Sequence, residues 1–231
     1  MAKTVAFDLD GTLIGTDSAQ AWLQFLMRES VPEADQSFHT CRQIMLGYEA
    51  GVMDMQAYMQ AWMAPIRGKR PEQLRPLLEV FVEQWIAPAI FTDGLRQLEL
   101  HHKQGDQVLL ISASPTLIVD PIARLMGVEH LIGIDVALQD GVLTDCSISP
   151  FSFREGKVEK IKKWLAHRSL SGLDVAYSDS INDVPMLSFA TQGVCVNPDP
   201  GLAALAANRA WPTLVWQATS GAVRQPNSSP G

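Results

Sequence analysis

Apolar and polar positions along this chain follow two different periods. Short runs dense in Val, Ile and Leu end on polar residues: "TVAFDLD" (4–10), "VLLIS" (108–112), "LDVAYSD" (173–179) and "GVCVNP" (193–198). Such runs predict buried parallel strands. Between them the apolar positions recur at helical spacing. "FTDGLRQLELHHKQG" opens at Thr92 or Asp93 and stops at Gly105. "SPTLIVDPIARLMG" offers Ser114 as N-cap, Pro115 at the first helical position and Gly127 as a stop. "REGKVEKIKKWLAH" repeats Val158, Ile161 and Leu165, and "DPGLAALAANRA" starts on the cap-then-proline pair Asp199 and Pro200. Strands alternating with helices predict βαβ units on a parallel sheet. The stretch "LIGIDVALQDGVLTDCSIS" carries Asp140-Gly141 between alternating runs and predicts a β-hairpin inserted in that series.

Residues 17–87 break the alternation. They show helical periodicity and no strand pattern, with "SVPEAD" and "RGKRP" as loops, and they hold Met27, Met45, Met53, Met55, Met59 and Met63. Met55, Met59, Trp62 and Met63 recur at helical spacing, which predicts that most of them form the core of this segment. The fold class is therefore α/β: a Rossmann-like parallel sheet with helices on both faces, plus an inserted all-helical domain. The expected boundaries are 1–16 and 88–220 for the α/β core, 17–87 for the insertion, and 221–231 as a frayed polar tail.

Composition narrows the setting. The 231 residues are 47% hydrophobic, enough for a packed core, and the net charge of −7 leaves no broad basic surface for nucleic acid. Cys41, Cys146 and Cys195 are far apart and form no C-x-x-C pair, which suits a reducing cytoplasm and argues against zinc. "MAKTVAFDLD" lacks the features of a signal peptide, and no apolar stretch reaches the length of a membrane span. The expected protein is soluble and cytoplasmic.

Ligands of open parallel sheets bind at the carboxyl ends of the strands. Those ends carry Asp8 and Asp10 after the first strand, Ser112 after "VLLI", and Asp179 with Asp183 after "LDVAYS". Lys157 opens the helix before that last strand, where a lysine opposes the helix dipole and so needs another partner. Four gathered carboxylates repel one another unless a cation neutralises them, and an oxygen-only ligand set favours magnesium. A carboxylate can attack phosphorus and form an aspartyl-phosphate, while a second one handles the proton of the leaving alcohol and of water. Gly11 permits a tight turn beside a phosphate, and Thr12 can donate to it.

"DLDGT" (8–12), "ISAS" (111–114), Lys157 in "REGKVEKI", and "YSDSINDVPML" (177–187) resemble the four ordered motifs of the haloacid dehalogenase superfamily, specifically its phosphoserine-phosphatase-like branch. The branch has a helical cap inserted between the first and second motifs. The resemblance implies Asp8 as nucleophile and magnesium ligand, and Asp10 as general acid/base with its backbone carbonyl on the metal. It implies Ser112, with Ala113 beside it, on a phosphoryl oxygen, and Lys157 neutralising the phosphoryl group and the nucleophile. Asp179 ligates magnesium, Asp183 acts through water or by orienting Lys157, and Asn182 faces the phosphate. An aspartate at Asp10 favours phosphate-ester hydrolysis, since true dehalogenases lack it and transport-ATPase relatives carry threonine there.

Blander readings stand beside these. Ser114 is expected to cap the following helix rather than bind phosphate; Asp183 could be a helix cap after the "SDSIN" loop, but its spacing from Asp179 favours a site role. His39, His101, His102, His130 and His167 form no ligand pattern and read as surface or boundary residues. Two other classes compete: a phosphotransferase with the same aspartyl-phosphate, and a binding module, which would be expected to lack one of Asp8, Asp10, Lys157 or Asp179.

The substrate follows from one presence and one absence. In phosphoserine-specific relatives an acidic residue after the first motif pairs with the substrate amine, and Asp17 fits that position. A cap arginine clamps the carboxylate, but Gln60 to Trp62 stand where it should fall, and Arg67 is the nearest. Without a bidentate guanidinium, carboxylate recognition is weak. The expected substrate is an amine-bearing phosphate ester such as histidinol phosphate, with phosphoserine second.

Overall fold

A computed structural model describes residues 2–48 and 54–217; Met53 and the expected tail 221–231 lie outside the described residues. Six parallel strands form one sheet in the order β3-β2-β1-β6-β7-β8. They are β1 (Thr4–Phe7), β2 (Gln107–Pro115), β3 (His130–Ile134), β6 (Val175–Ser178), β7 (Gln192–Val196) and β8 (Thr213–Leu214). β1 pairs with β2 on one side and with β6 on the other, so the order reverses beside β1 and a crevice opens at the strand ends there.

Alternation along each strand builds two cores. Val5 and Phe7, Val108 and Leu110, Val175 and Tyr177, and Val194 and Val196 face one apolar cluster. Ala6, Leu109, Ile111, Ala176 and Cys195 face the other. Three helices cover the second face: α7 (Glu155–His167) through Ile161 and Leu165, α8 (Val184–Phe189) through Met186 and Leu187, and α9 (Pro200–Arg209) through Leu202 and Ala206. On the first face lie α5 (Thr92–Lys103) and α6 (Thr116–Leu125). The expected α/β sheet with helices on both faces is the observed one.

Between β1 and β2 run α1 (Ser18–Arg28), α2 (Ala34–Tyr48), α3 (Met55–Met63) and α4 (Pro71–Phe81), and the described residues of 17–87 contain no strand. Met55, Met59, Trp62 and Met63 are buried, and the Trp62 indole N–H donates to the Ala19 carbonyl at 3.0 Å. One continuous apolar cluster joins these helices to the sheet.

Two expectations change, and one strand is new. The hairpin is shorter than 131–149, comprising β4 (Val136–Gln139) and β5 (Val142–Ser147), because His130–Ile134 pairs in parallel with β2 as a strand of the main sheet. The short strand β8 carried no run long enough to read. His101 is buried rather than peripheral: its Nδ1 lies 2.8 Å from Asp106 and its Nε2 3.1 Å from the Tyr177 hydroxyl. No described helix is long and apolar enough to cross a membrane.

Candidate active site

The chain turns sharply after β1. Leu9 O accepts from the amides of Thr12, Leu13 and Ile14, and Gly11 takes the left-handed conformation at φ 79°. That turn brings Asp8, Thr12 and Asp179 together. The Thr12 hydroxyl lies 3.1 Å from Asp8 Oδ2 and 3.1 Å from Asp179 Oδ1, and it accepts the Asp179 amide at 3.0 Å. The Thr12 side chain is thus engaged by the two carboxylates, where the sequence reading placed it on a phosphate.

Lys157 is buried in the first turn of α7 and resolves its conflict with the helix dipole by bridging two carboxylates. Its Nζ donates to Asp8 Oδ1 at 2.6 Å and to Asp183 Oδ2 at 2.7 Å. Ser178 donates to the same Asp183 oxygen at 2.7 Å. Asp183 precedes α8 without capping it through its side chain, so the geometry favours orientation of Lys157 over a helix cap. The start of α7 is set by close packing: a β-carbon on Gly156 would fall 1.9 Å from Phe151 O, and Ser152 ties the same loop to Ser112 O at 2.6 Å.

Asp10 is held by a serine cluster. Ser112 Oγ and Ser114 Oγ each lie 3.0 Å from Asp10 Oδ2, and the Ser18 amide donates to Oδ1 at 2.7 Å. This corrects the expectation for Ser114. Strand β2 continues through Pro115, which is itself the N-cap of α6, so Ser114 is still in the strand and cannot cap. Ser18, in contact with Ser114 at 3.0 Å, is a further site residue that the sequence did not single out. No short motif marked it, because its partners are distant in sequence.

Asp8, Asp10, Lys157, Asp179 and Asp183 line one cavity of about 270 Å³. Ala113 and Asn182 also line it; the Asn182 Oδ1 accepts from Arg154 at 3.2 Å. From the helical insertion come Asp17, Met45, Met55 and Tyr58. Asp17 caps α1 by accepting the Gln20 amide at 2.8 Å and stands on the cavity wall. The protein enclosing that wall, and Asp10 beyond it, push its carboxyl up to about 6.

Charge is unbalanced at the strand ends. Burial raises the Asp8 carboxyl well above its ordinary range against the pull of Lys157, and Asp183, Asp179 and Asp10 raise it further. Burial also pushes Asp179 up to about 7. Burial opposes the charge on Lys157, but Asp183 and Asp8 outweigh it and hold the ammonium protonated. Excess negative charge on hard oxygen donors fits a magnesium ion. Among the described residues no three acidic, histidine or cysteine side chains form a ready-made cage. Magnesium does not need one: it keeps several waters and takes one or two carboxylates with substrate phosphate. Asp8 and Asp179, joined through Thr12, are the two carboxylates that could hold the ion.

Carboxylates and a buried ammonium at the switch point of a parallel sheet define a doubly wound α/β enzyme built for an anionic ligand. The haloacid dehalogenase-like hydrolase family pattern matches residues 5–188. A histidinol-phosphatase of Neisseria meningitidis serogroup C is 32% identical over 219 residues, 93% of this chain and 99% of its own. A protein of unknown function from Bordetella pertussis Tohama I superposes with a TM-score of 0.85 at 32% identity, covering 93% of this chain and 98% of that one. A phosphoserine phosphatase structure described as a phospho-aspartyl intermediate analogue superposes at 0.66 over 94% of each chain, and its 15% identity makes that a likeness of fold. The chain belongs to the haloacid dehalogenase-like hydrolases, and it is a phosphatase.

Proposed function

We propose that this phosphatase hydrolyses a small amine-bearing phosphate monoester through an aspartyl-phosphate on Asp8, and that histidinol phosphate suits its cavity best. The carrying observation is charge. The cavity presents Asp8, Asp10, Asp17, Asp179 and Asp183 against Lys157, with no arginine among its described lining residues. Arg67 is turned to Asp145 at 3.1 Å. A substrate carboxylate would meet that field without a guanidinium to receive it, whereas an ammonium would meet Asp17. The name of the Neisseria relative points to the same ester.

In the first step an Asp8 oxygen attacks phosphorus, the bond from phosphorus to the substrate alcohol breaks, and Asp10 gives a proton to the departing oxygen. In the second, Asp10 takes a proton from water, the water oxygen attacks phosphorus, and the bond to Asp8 breaks, releasing inorganic phosphate. Ser112, Ser114 and the Ser18 amide hold Asp10 in place for both transfers. Lys157 stays protonated beside the attacking oxygen, and Ala113 and Asn182 border the space for the phosphoryl group. Asp8, Asp179 and the Asp10 carbonyl would hold magnesium, with Asp183 behind them, and the ion would supply charge neutralisation on the phosphoryl oxygens. In this reading the helical insertion is a cap over the site. The three free cysteines support the reading of a cytoplasmic setting.

Phosphoserine is the second reading, favoured by Arg42, which lines a smaller cavity next to Asp17. Phosphate release from histidinol phosphate, phosphoserine and an aryl phosphate, with magnesium or EDTA and with Asp8→Asn as control, decides between them. Turnover that needs magnesium and Asp8 and is fastest with histidinol phosphate is the expected result. Phosphoserine ranking first would overturn the substrate reading, and turnover by Asp8→Asn would overturn the mechanism.

A further inference from the structure

A wall built from the helical insertion is shared by two cavities. Asp17, Met45 and Tyr58 line both the 270 Å³ catalytic cavity and a neighbouring one of about 120 Å³. Asp17 is held there by its capping bond to Gln20, and Tyr58 by its place in the first turn of α3, which the Cys41 thiol ties to α2 through the Tyr58 carbonyl at 3.7 Å. The rest of the shared wall is a methionine, a flexible apolar surface.

The Tyr58 phenol is the unused polar group of that wall. Its ring is buried, yet among the described residues none is hydrogen-bonded to its hydroxyl. The oxygen is not sealed off either, because the buried side-chain polar atoms without a partner among the described residues are Trp22 Nε1 and Ser147 Oγ. A partnerless hydroxyl that is not sealed faces the space its residue lines. Burial, then the charges of Asp17, Cys41 and Asp10, push the phenol well above its ordinary range. It therefore stays neutral, with a lone pair to offer, in a field that attracts cations.

We propose that Tyr58 is a specificity-determining residue whose hydroxyl oxygen accepts an N–H of the substrate's ammonium beside Asp17. An ammonium has three donors and no acceptor, so it needs more than one oxygen when it leaves water. Asp17 has one carboxylate oxygen committed to the Gln20 amide. Tyr58 supplies an acceptor on the same wall, without adding a charge that would have to be neutralised when no amine is bound. The pair thereby selects phosphate esters of amino alcohols over esters with an uncharged alcohol portion. This inference rests on the amine-bearing substrate proposed above.

Steady-state kinetics of wild type and Tyr58→Phe with histidinol phosphate and with an aryl phosphate test it. The Phe variant keeps the buried ring, and thermal melts report whether it folds as the wild type does. Loss of a hydrogen bond to a charged group is expected to lower the ratio of kcat/KM for histidinol phosphate to that for the aryl ester by about tenfold, carried by KM. An unchanged ratio, or an equal fall on both esters, would overturn the role of Tyr58 while leaving the amine-ester reading standing. Wild-type protein without a preference for the amine-bearing ester would overturn that reading and this inference together.

Discussion

Gly11 and Asp179 pack so closely that a β-carbon on Gly11 would lie 2.0 Å from Asp179 Oδ2. Asp179 reaches its place beside Asp8 because position 11 has no side chain, and the turn there needs φ 79° as well. Gly11→Ala meets both penalties. Left-handed backbone costs an alanine about 1–2 kcal/mol. Displacing Asp179 by about 1 Å is expected to lower kcat/KM by about a hundredfold. Urea unfolding and a magnesium titration of activity measure the two effects. A variant with wild-type magnesium dependence would show that Asp179 does not need this contact.

Lys157 lies between Asp8 and Asp183, 2.6 and 2.7 Å away, with 2% of its surface exposed. Lys157→Met leaves two buried carboxylates uncompensated, and breaking such a buried arrangement costs about 3–5 kcal/mol. Urea unfolding in EDTA, where no metal substitutes for the ammonium, should show that loss together with abolished turnover. A stability loss below about 1 kcal/mol would mean that the carboxylates find other compensation.

In the proposed mechanism the serine-held Asp10 handles protons in both steps, so its two effects separate with a good leaving group. Asp10→Asn is expected to lower turnover by about a hundredfold to ten-thousandfold. With p-nitrophenyl phosphate, whose phenol leaves with little help, the variant should release a rapid first equivalent and then stall as the phosphorylated enzyme. Rapid-mixing absorbance measures the burst. A steady rate from the first turnover, without a burst, counts against the assignment.

The buried pair His101 and Asp106 sits under the sheet, away from the chemistry, with Nδ1 to Oδ2 at 2.8 Å. Burial works against the Asp106 charge. The Lys3 amide, His101 and the Lys3 charge outweigh it and hold the carboxyl below its ordinary range. A lowered folded value contributes stability that is complete above the ordinary carboxylate value of about 3.9 and is lost as pH falls through the folded one. The stability difference between wild type and Asp106→Asn should therefore be largest near neutral pH and shrink below about pH 4. Urea midpoints from pH 3 to 8 test this, and a difference that grew towards acid would reverse the sign argued here.

Much of the arrangement was legible along the chain. The apolar runs ending at Asp8, Ser112 and Asp179 marked strand ends, and residues at successive strand ends of a parallel sheet must meet at one edge. Local chemistry also held where it was undisputed, as in the Asp199 cap, whose side chain accepts the Leu202 amide at 2.7 Å. It failed at Ser114, where a cap-then-proline signal competed with pairing of Pro115 to Ile134 and the sheet prevailed. It also missed His101, because a histidine at the end of an amphipathic helix looks exposed until Asp106 and Tyr177 fold against it.

The amino-acid order by itself determined the sheet, its edge of carboxylates, the buried strand residues and the lysine that joins them, since periodicity and strand ends are local properties. Tertiary structure alone decided which hydroxyls serve which carboxylate. Thr12 went to Asp8 and Asp179, and Ser112 and Ser114 went to Asp10. It also decided that Tyr58, Met45 and Met55, of the insertion's described aromatic and methionine positions, line the cavity. Helical spacing assigns a face to a side chain but not what that face meets, and the direction of a hydroxyl is set by partners a hundred residues away.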